Sequence, residues 1–125
     1  MVAEALLCMV LNVYHEARSE PFLGQVAVAE TVLNRMDDSR WPDDACSVIY
    51  QPWQYSWTLI EDLEPPRDLI AYHRAKQAVE YAIDHRSMSA THYHHIDIIP
   101  TWSKHPRMDY LFTIGAHRFY YEDTQ

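Results

Sequence analysis

Glycine is nearly missing from this chain: Gly24 and Gly115 are the only two. A phosphate-cradling loop needs several glycines close together, so nucleotide signatures of that kind are excluded, and loops must be built from Pro, Asp and Ser. Cysteine is equally sparse. Cys8 and Cys46 stand alone without metal-type spacing, so neither a disulfide framework nor a zinc knuckle is suggested. Cys8, inside a helical apolar pattern, reads as a small buried thiol. Basic residues are outnumbered, ten Lys and Arg against eighteen Asp and Glu, for a formal net charge of −8. That balance opposes a nucleic-acid partner, whose phosphates need a basic surface, and opposes docking onto an anionic membrane. No apolar run approaches transmembrane length, so membrane insertion is not expected. The N-terminus has no basic start and carries Glu4, which does not read as a secretory signal. If the substrate is extracellular, the chain is expected to be released by other means or to be a piece of a longer protein.

What is present suits an ordinary globule. At 125 residues, with 48% hydrophobic and 22% charged, residues 1–125 read as one domain with a real core. Nine Tyr and four Trp are many for this length. Most are core by default, yet aromatic faces also make platforms for sugar rings. A neutral polymer is the partner that fits an acidic, aromatic-rich chain.

Periodicity divides the chain into a helical half and a mixed half, an α+β pattern. Ala3, Leu7, Val10, Tyr14 and Ala17 recur at helical spacing, and a second helix runs from about Pro21 to Met36 after the Ser19-Glu20-Pro21 punctuation. A short helical turn covers Ala45 to Tyr50. Residues Trp53 to Leu59 alternate aromatic and polar, which predicts a strand with Gln54, Ser56 and Thr58 on its polar face. A third long helix spans roughly Arg67 to His85. Ser89 to Ile96 and Thr113 to Tyr121 are predicted short strands, with Gly115 at a turn or bulge.

Glu16 is the candidate for acid–base chemistry. It falls off the middle of the first helix's apolar stripe, at the helix end, where a cleft wall can raise a carboxyl's pKa by partial burial. Glu30 is placed on the polar side of the second helix. Gln25 falls inside an apolar face and must find partners, either bridging helices or lining a site. His92 and His94 share a strand face, with His105 and His117 downstream, so a third ligand could complete a zinc site. There is no HExxH motif, and the cysteines join no Cys/His pattern.

These residues carry a resemblance. The stretch YHEARSEPFLGQVAVAETVLNR from Tyr14 to Arg35 resembles the opening block of the SleB-type cell-wall hydrolases, the spore-cortex-lytic family. Later blocks follow in the same order: CSVIYQ (Cys46–Gln51), QYSW (Gln54–Trp57), ATHY (Ala90–Tyr93) and IGAHRFY (Ile114–Tyr120). The resemblance implies a lysozyme-like, lytic-transglycosylase-like fold: a helical lobe with a small antiparallel sheet. It implies peptidoglycan as partner, no cofactor or metal, and cleavage between N-acetylmuramic acid and N-acetylglucosamine. The family's catalytic glutamate falls on Glu16. The glycan groove would be bordered by Gln54, Ser56, Thr91 and Tyr93, with Trp57 and Tyr55 as apolar walls; Gln25 joins the substrate-binding set on the second of its two readings. The chain has Ser19 where the family typically shows Gly, and His15 where it shows a small residue or Asn.

The mechanism turns on how many carboxylates share the site. Two-carboxylate glycosidases need an acid and a second group across the sugar. Only Glu16 has a matching context, and Asp97 and Asp109 lie in segments whose placement the sequence leaves open. A lytic transglycosylase needs one carboxyl, because the muramic acid's own C6 hydroxyl attacks C1. Besides that enzyme, two classes stay open: a zinc-dependent wall amidase or peptidase built on the histidines, and a wall-binding module without activity.

Overall fold

The computed structural model describes residues 1–124. Four helices come first in the chain: α1 (Ala3–Ala17), α2 (Phe22–Met36), α3 (Ala45–Ile49) and α4 (Leu69–Asp84). Three strands follow, β1 (His92–His95), β2 (Met108–Ile114) and β3 (His117–Glu122), in an antiparallel sheet of order β1-β3-β2. The architecture is α+β, as the patterning predicts. Asp44 and Asp68 cap α3 and α4 through side-chain bonds from Ser47 N and Ala71 N, at 2.9 and 3.0 Å, satisfying donors a helix start leaves free.

Helix α2 is central. It packs against α1, α3 and α4, and every residue from Gly24 to Leu33 is buried. It therefore has no solvent face, which corrects the placement of Glu30 on a polar side: Glu30 is fully buried. A buried polar group needs partners, and Glu30 Oε1 accepts from the backbone N–H groups of Ser87 and Met88 at 2.8 and 3.0 Å. Asn34 Nδ2 donates to the carbonyls of Met88 and Ala90 at 2.9 and 2.8 Å. Arg35 Nε donates to Thr91 O at 2.7 Å. Polar groups on one helix thus fix the irregular stretch 87–91 that leads into β1.

Helix α1 turns a slightly different face inward from the one expected. Met9, Val10, Val13, Tyr14 and Ala17 are buried, but Leu7 is 49% exposed. Cys8 meets Cys46 at the α1–α3 contact in a disulfide with Cα atoms 5.4 Å apart, which corrects the reading of Cys8 as a thiol. The pairing depends on docking two helices across 38 residues, and sequence spacing carries no trace of that.

Residues 53–59 form no strand. Trp53 has φ +68°, outside the extended region, and Ser56–Leu59 coil into a 3-10 turn. Tyr55 and Trp57 are buried while Gln54 and Ser56 are exposed, so the two-residue alternation is real. It comes from an extended Tyr55 followed by a 3-10 turn that buries Trp57, rather than from a pleat. The predicted Thr113–Tyr121 strand is two strands. Gly115, at φ +56°, turns the hairpin between β2 and β3, and the register shifts once between Tyr110 and Phe112. The turn is held by Glu20, whose Oε1 accepts from Ala116 N at 2.8 Å. A Cβ on Gly115 would come within 2.6 Å of that same oxygen.

Candidate active site

Glu16 lies in the last turn of α1, partly buried, on a cavity of about 560 Å³, a size typical of ligand sites. The phenol of Tyr93 donates to Glu16 Oε1 at 2.6 Å, leaving Oε2 to carry a transferable proton. Burial raises the Glu16 pKa above the ordinary carboxyl value, and the Tyr93 hydrogen bond pulls it partly back by favouring the charged form. Burial, with the Glu16 charge beside it, pushes the Tyr93 phenol well above its usual range. Tyr93 therefore stays a donor throughout any working pH. Tyr55, also on the cavity, is raised by burial too.

Arg35 forms a second anchor. Only 5% exposed, it bridges Thr91 O and Gln54 Oε1, the latter at 2.6 Å, and its guanidinium lies 5.1 Å from the Trp41 ring centroid. His92, beside it on the cavity, is lowered to about 4 by burial and by the charges of Arg35 and Arg40. Above that pH it is neutral, so its 3.5 Å approach to Glu122 is not an ion pair. Glu122 does pair with Arg40, also at 3.5 Å.

The structure brings Glu16, Gln54 and Tyr93 together on the cavity. The other four expected site residues lie elsewhere. Trp57 is buried, stacks on His15 at 4.8 Å and donates its indole N–H to Asn12 Oδ1 at 2.9 Å. Ser56 is exposed at the start of the 3-10 turn. Thr91 is buried, and its hydroxyl accepts from Glu122 N at 2.8 Å. Gln25 is fully buried, with Nε2 donating to Glu20 O at 3.2 Å, so it bridges at the α1–α2 corner. Asp97 and Asp109 are exposed and off the cavity; the second carboxylate on it is Glu122. Arg35, Trp53, His92 and Glu122 were not singled out for the groove from the sequence. An arginine inside the apolar run of α2 was the one available signal.

The histidines are dispersed. Trp102 wedges between His92 and His94, its ring 5.2 and 5.6 Å from theirs. Both His94 ring nitrogens are engaged at 2.8 Å, with His95 O and Tyr120 OH. His117 sits against Glu20 at 3.4 Å, its pKa lowered by burial despite that carboxylate. Among the described residues no three His, Cys, Asp or Glu side chains converge on a metal position. The departures beside Glu16 are also accommodated: Ser19 is not among the residues with positive φ, so that position does not require glycine. His15 is lowered by burial, and then by Arg18, which favours a neutral ring.

Comparison with known proteins places this geometry. The catalytic domain of the germination-specific lytic transglycosylase SleB from Bacillus anthracis superposes with TM-score 0.79 at 30% identity, covering 96% of each chain. The SleB catalytic domain of Bacillus cereus gives TM-score 0.78 at 30% identity, over 95% of this chain and 91% of that one. The spore cortex-lytic enzyme of Halalkalibacterium halodurans is 46% identical over 48 residues, 38% of this chain. That of Bacillus subtilis is 43% identical over 44 residues, 35% of this chain. The chain covers only 14% of the length of these two full-length relatives. The Cell Wall Hydrolase family model matches residues 19–120, starting three residues after Glu16. With most of its length inside that match, the chain belongs to the Cell Wall Hydrolase family.

Proposed function

We propose that this chain cleaves the glycan strand of peptidoglycan between N-acetylmuramic acid and N-acetylglucosamine, as a lytic transglycosylase with Glu16 as sole acid and base. The observation that carries this is the Glu16 carboxyl, held by Tyr93 at 2.6 Å on the cavity with its pKa raised by burial. A raised pKa holds the proton on the carboxyl to a higher pH, which proton donation to a poor leaving group needs. Protonated Glu16 gives its proton to the bridging oxygen as the C1–O bond breaks, freeing the 4-hydroxyl of N-acetylglucosamine. The resulting carboxylate takes the proton of the muramic acid C6 hydroxyl as O6 bonds to C1. The product is a 1,6-anhydro sugar, and no water is consumed. The description of the Bacillus anthracis relative as a lytic transglycosylase supports the same reaction.

One observation favours a second reading. Glu122 lines the same cavity and could activate a water in a two-carboxylate hydrolysis. Against it, Glu122 Oε2 is already engaged by Arg40 at 3.5 Å, which ties that carboxylate to the cavity edge. Mass spectrometry of digested peptidoglycan separates the two, because the anhydro product is lighter by one water. Anhydro termini from both the parent and Glu122→Gln support transglycosylation. Reducing termini, with activity lost in Glu122→Gln, overturn it and make Glu122 the second catalytic group.

A further inference from the structure

Four tryptophans distribute unevenly. Trp41 lies under the guanidinium groups of Arg35 and Arg40, Trp57 stacks on His15, and Trp102 contacts His92, His94 and Tyr120. Trp53 has no ring, cation or hydrogen-bond partner among the described residues, is 83% exposed, and still lines the cavity that holds Glu16. Its backbone is also strained. Among the described residues two non-glycines have positive φ, Trp53 at +68° and Asp62 at +54°. Aspartate tolerates that region because its short side chain bonds locally. A bulky aromatic does not, and such outliers gather at functional sites. Trp53 therefore combines backbone strain with an unburied indole and draws no core packing in return.

The next residue supplies a polar complement. Gln54 Oε1 accepts from Arg35 Nη1 at 2.6 Å. A guanidinium only donates, so the amide orientation is fixed: oxygen toward Arg35 and Nε2 turned away, with no partner among the described residues. An open aromatic face beside a free amide donor matches a sugar carrying an acetamido group, with ring C–H on the indole and acetamido oxygen on the amide. We infer that Trp53 and Gln54 form a binding subsite for a 2-acetamido pyranose at the mouth of the cavity. The subsite rests on the glycan-cleaving reading of Glu16 and names where an outlying sugar of that strand is held. Trp53 is then a binding residue rather than a catalytic one, and Arg35 orients its neighbour.

Sedimentation with purified peptidoglycan sacculi tests the subsite in a Glu16→Gln background, where binding is read without cleavage. Trp53→Gly, which relieves the positive φ, is expected to keep or raise the melting temperature while weakening binding about tenfold, the size of one stacked ring. Trp53→Phe restores most of the binding. With Glu16 present, Trp53→Gly raises KM and leaves kcat close to the parent value, the signature of lost uniform binding. Gln54→Leu reduces the preference for native sacculi over chemically N-deacetylated sacculi. A parent that cleaves sacculi while Trp53→Gly binds them equally well overturns the subsite and leaves the Glu16 reading standing. A parent that binds without cleaving, with binding lost in Trp53→Gly, supports the subsite and defeats the cleavage reading. A melting temperature that falls together with binding, without rescue by Phe, makes Trp53 structural and overturns the proposal.

Discussion

The cavity has two unlike walls. One is built from regular elements: Glu16 on α1, Arg35 on α2 and Tyr93 on β1, each with a polar atom engaged over 2.6–2.7 Å. The other comes from irregular segments: Trp53 and Gln54 before the 3-10 turn, and His105 and Arg107 before β2, all exposed. Side chains on packed helices and strands hold a position to a fraction of an ångström, as acid–base chemistry needs. Loop side chains vary freely and can select what is bound. On the reading proposed above, chemistry and selection would fall to different kinds of backbone in one cavity.

The sharpest break in that comparison is at Glu16. Glu16→Gln is expected to lose activity by about a hundred- to ten-thousandfold, the range of general acid–base catalysis, measured as release of soluble muropeptide. Its stability should not fall. A carboxyl whose pKa is raised on folding binds its proton more tightly in the native state. The parent therefore loses stability as pH rises from the unfolded value, about 4.3, through the raised folded one. The Gln variant lacks that dependence, so by thermal denaturation it is at least as stable as the parent at pH 7 and equal to it below about pH 4. Activity of the parent declines over the same upper window as Glu16 deprotonates.

Tyr93→Phe weakens the ordered wall by one bond. The lost donor favoured the carboxylate, so the Glu16 pKa moves further up and the basic limb of the pH–rate profile shifts to higher pH. The rate at the optimum drops about tenfold, one charge-assisted hydrogen bond's worth. An unshifted limb would remove Tyr93 from the proton chemistry.

The Cys8–Cys46 bridge ties α1, which carries Glu16, to α3, which leads into the loop wall. Closing a 38-residue loop stabilises a fold by about 3–4 kcal/mol in the chain-entropy picture. A paired Cys8→Ala, Cys46→Ala protein should melt earlier by a corresponding margin while keeping its activity per folded molecule. Smallest of all is Ser56→Ala. That side chain is exposed and off the cavity, so stability is expected to move by less than about 0.5 kcal/mol and turnover to stay at the parent level. A large loss of turnover would extend the loop wall past its present border.

The helices were legible because a buried stripe leaves a period, as in Val10, Tyr14 and Ala17 or Val79 and Ala82. What escaped lacked such a period. Helix α2 is buried all round, so Glu30 and Arg35 had no polar face to mark, and their partners lie 56–58 residues away in Ser87, Met88 and Thr91. Alternation at Tyr55 and Trp57 mimicked a strand because an extended, buried Tyr55 is followed by a 3-10 turn in which Trp57 is the buried residue. Glu16, Gln54 and Tyr93 could be named through the blocks that resemble a family, whereas Trp53 and Glu122 lie outside those blocks. Gln25 was left between two roles because burial was readable and its partner was not.

The Glu16–Tyr93 bond spans 77 residues, and its consequence lies in the order of folding. Contacts that distant close late, after local helices form and dock. Until β1 is laid against α1, Glu16 is an ordinary hydrated carboxylate with an ordinary pKa. On the reading proposed above, neither a nascent chain nor an amino-terminal fragment of it would own a catalytic acid, whatever helix it has made. The buried, Tyr93-bonded state of Glu16 needs β1, which lies in the last third of the polypeptide.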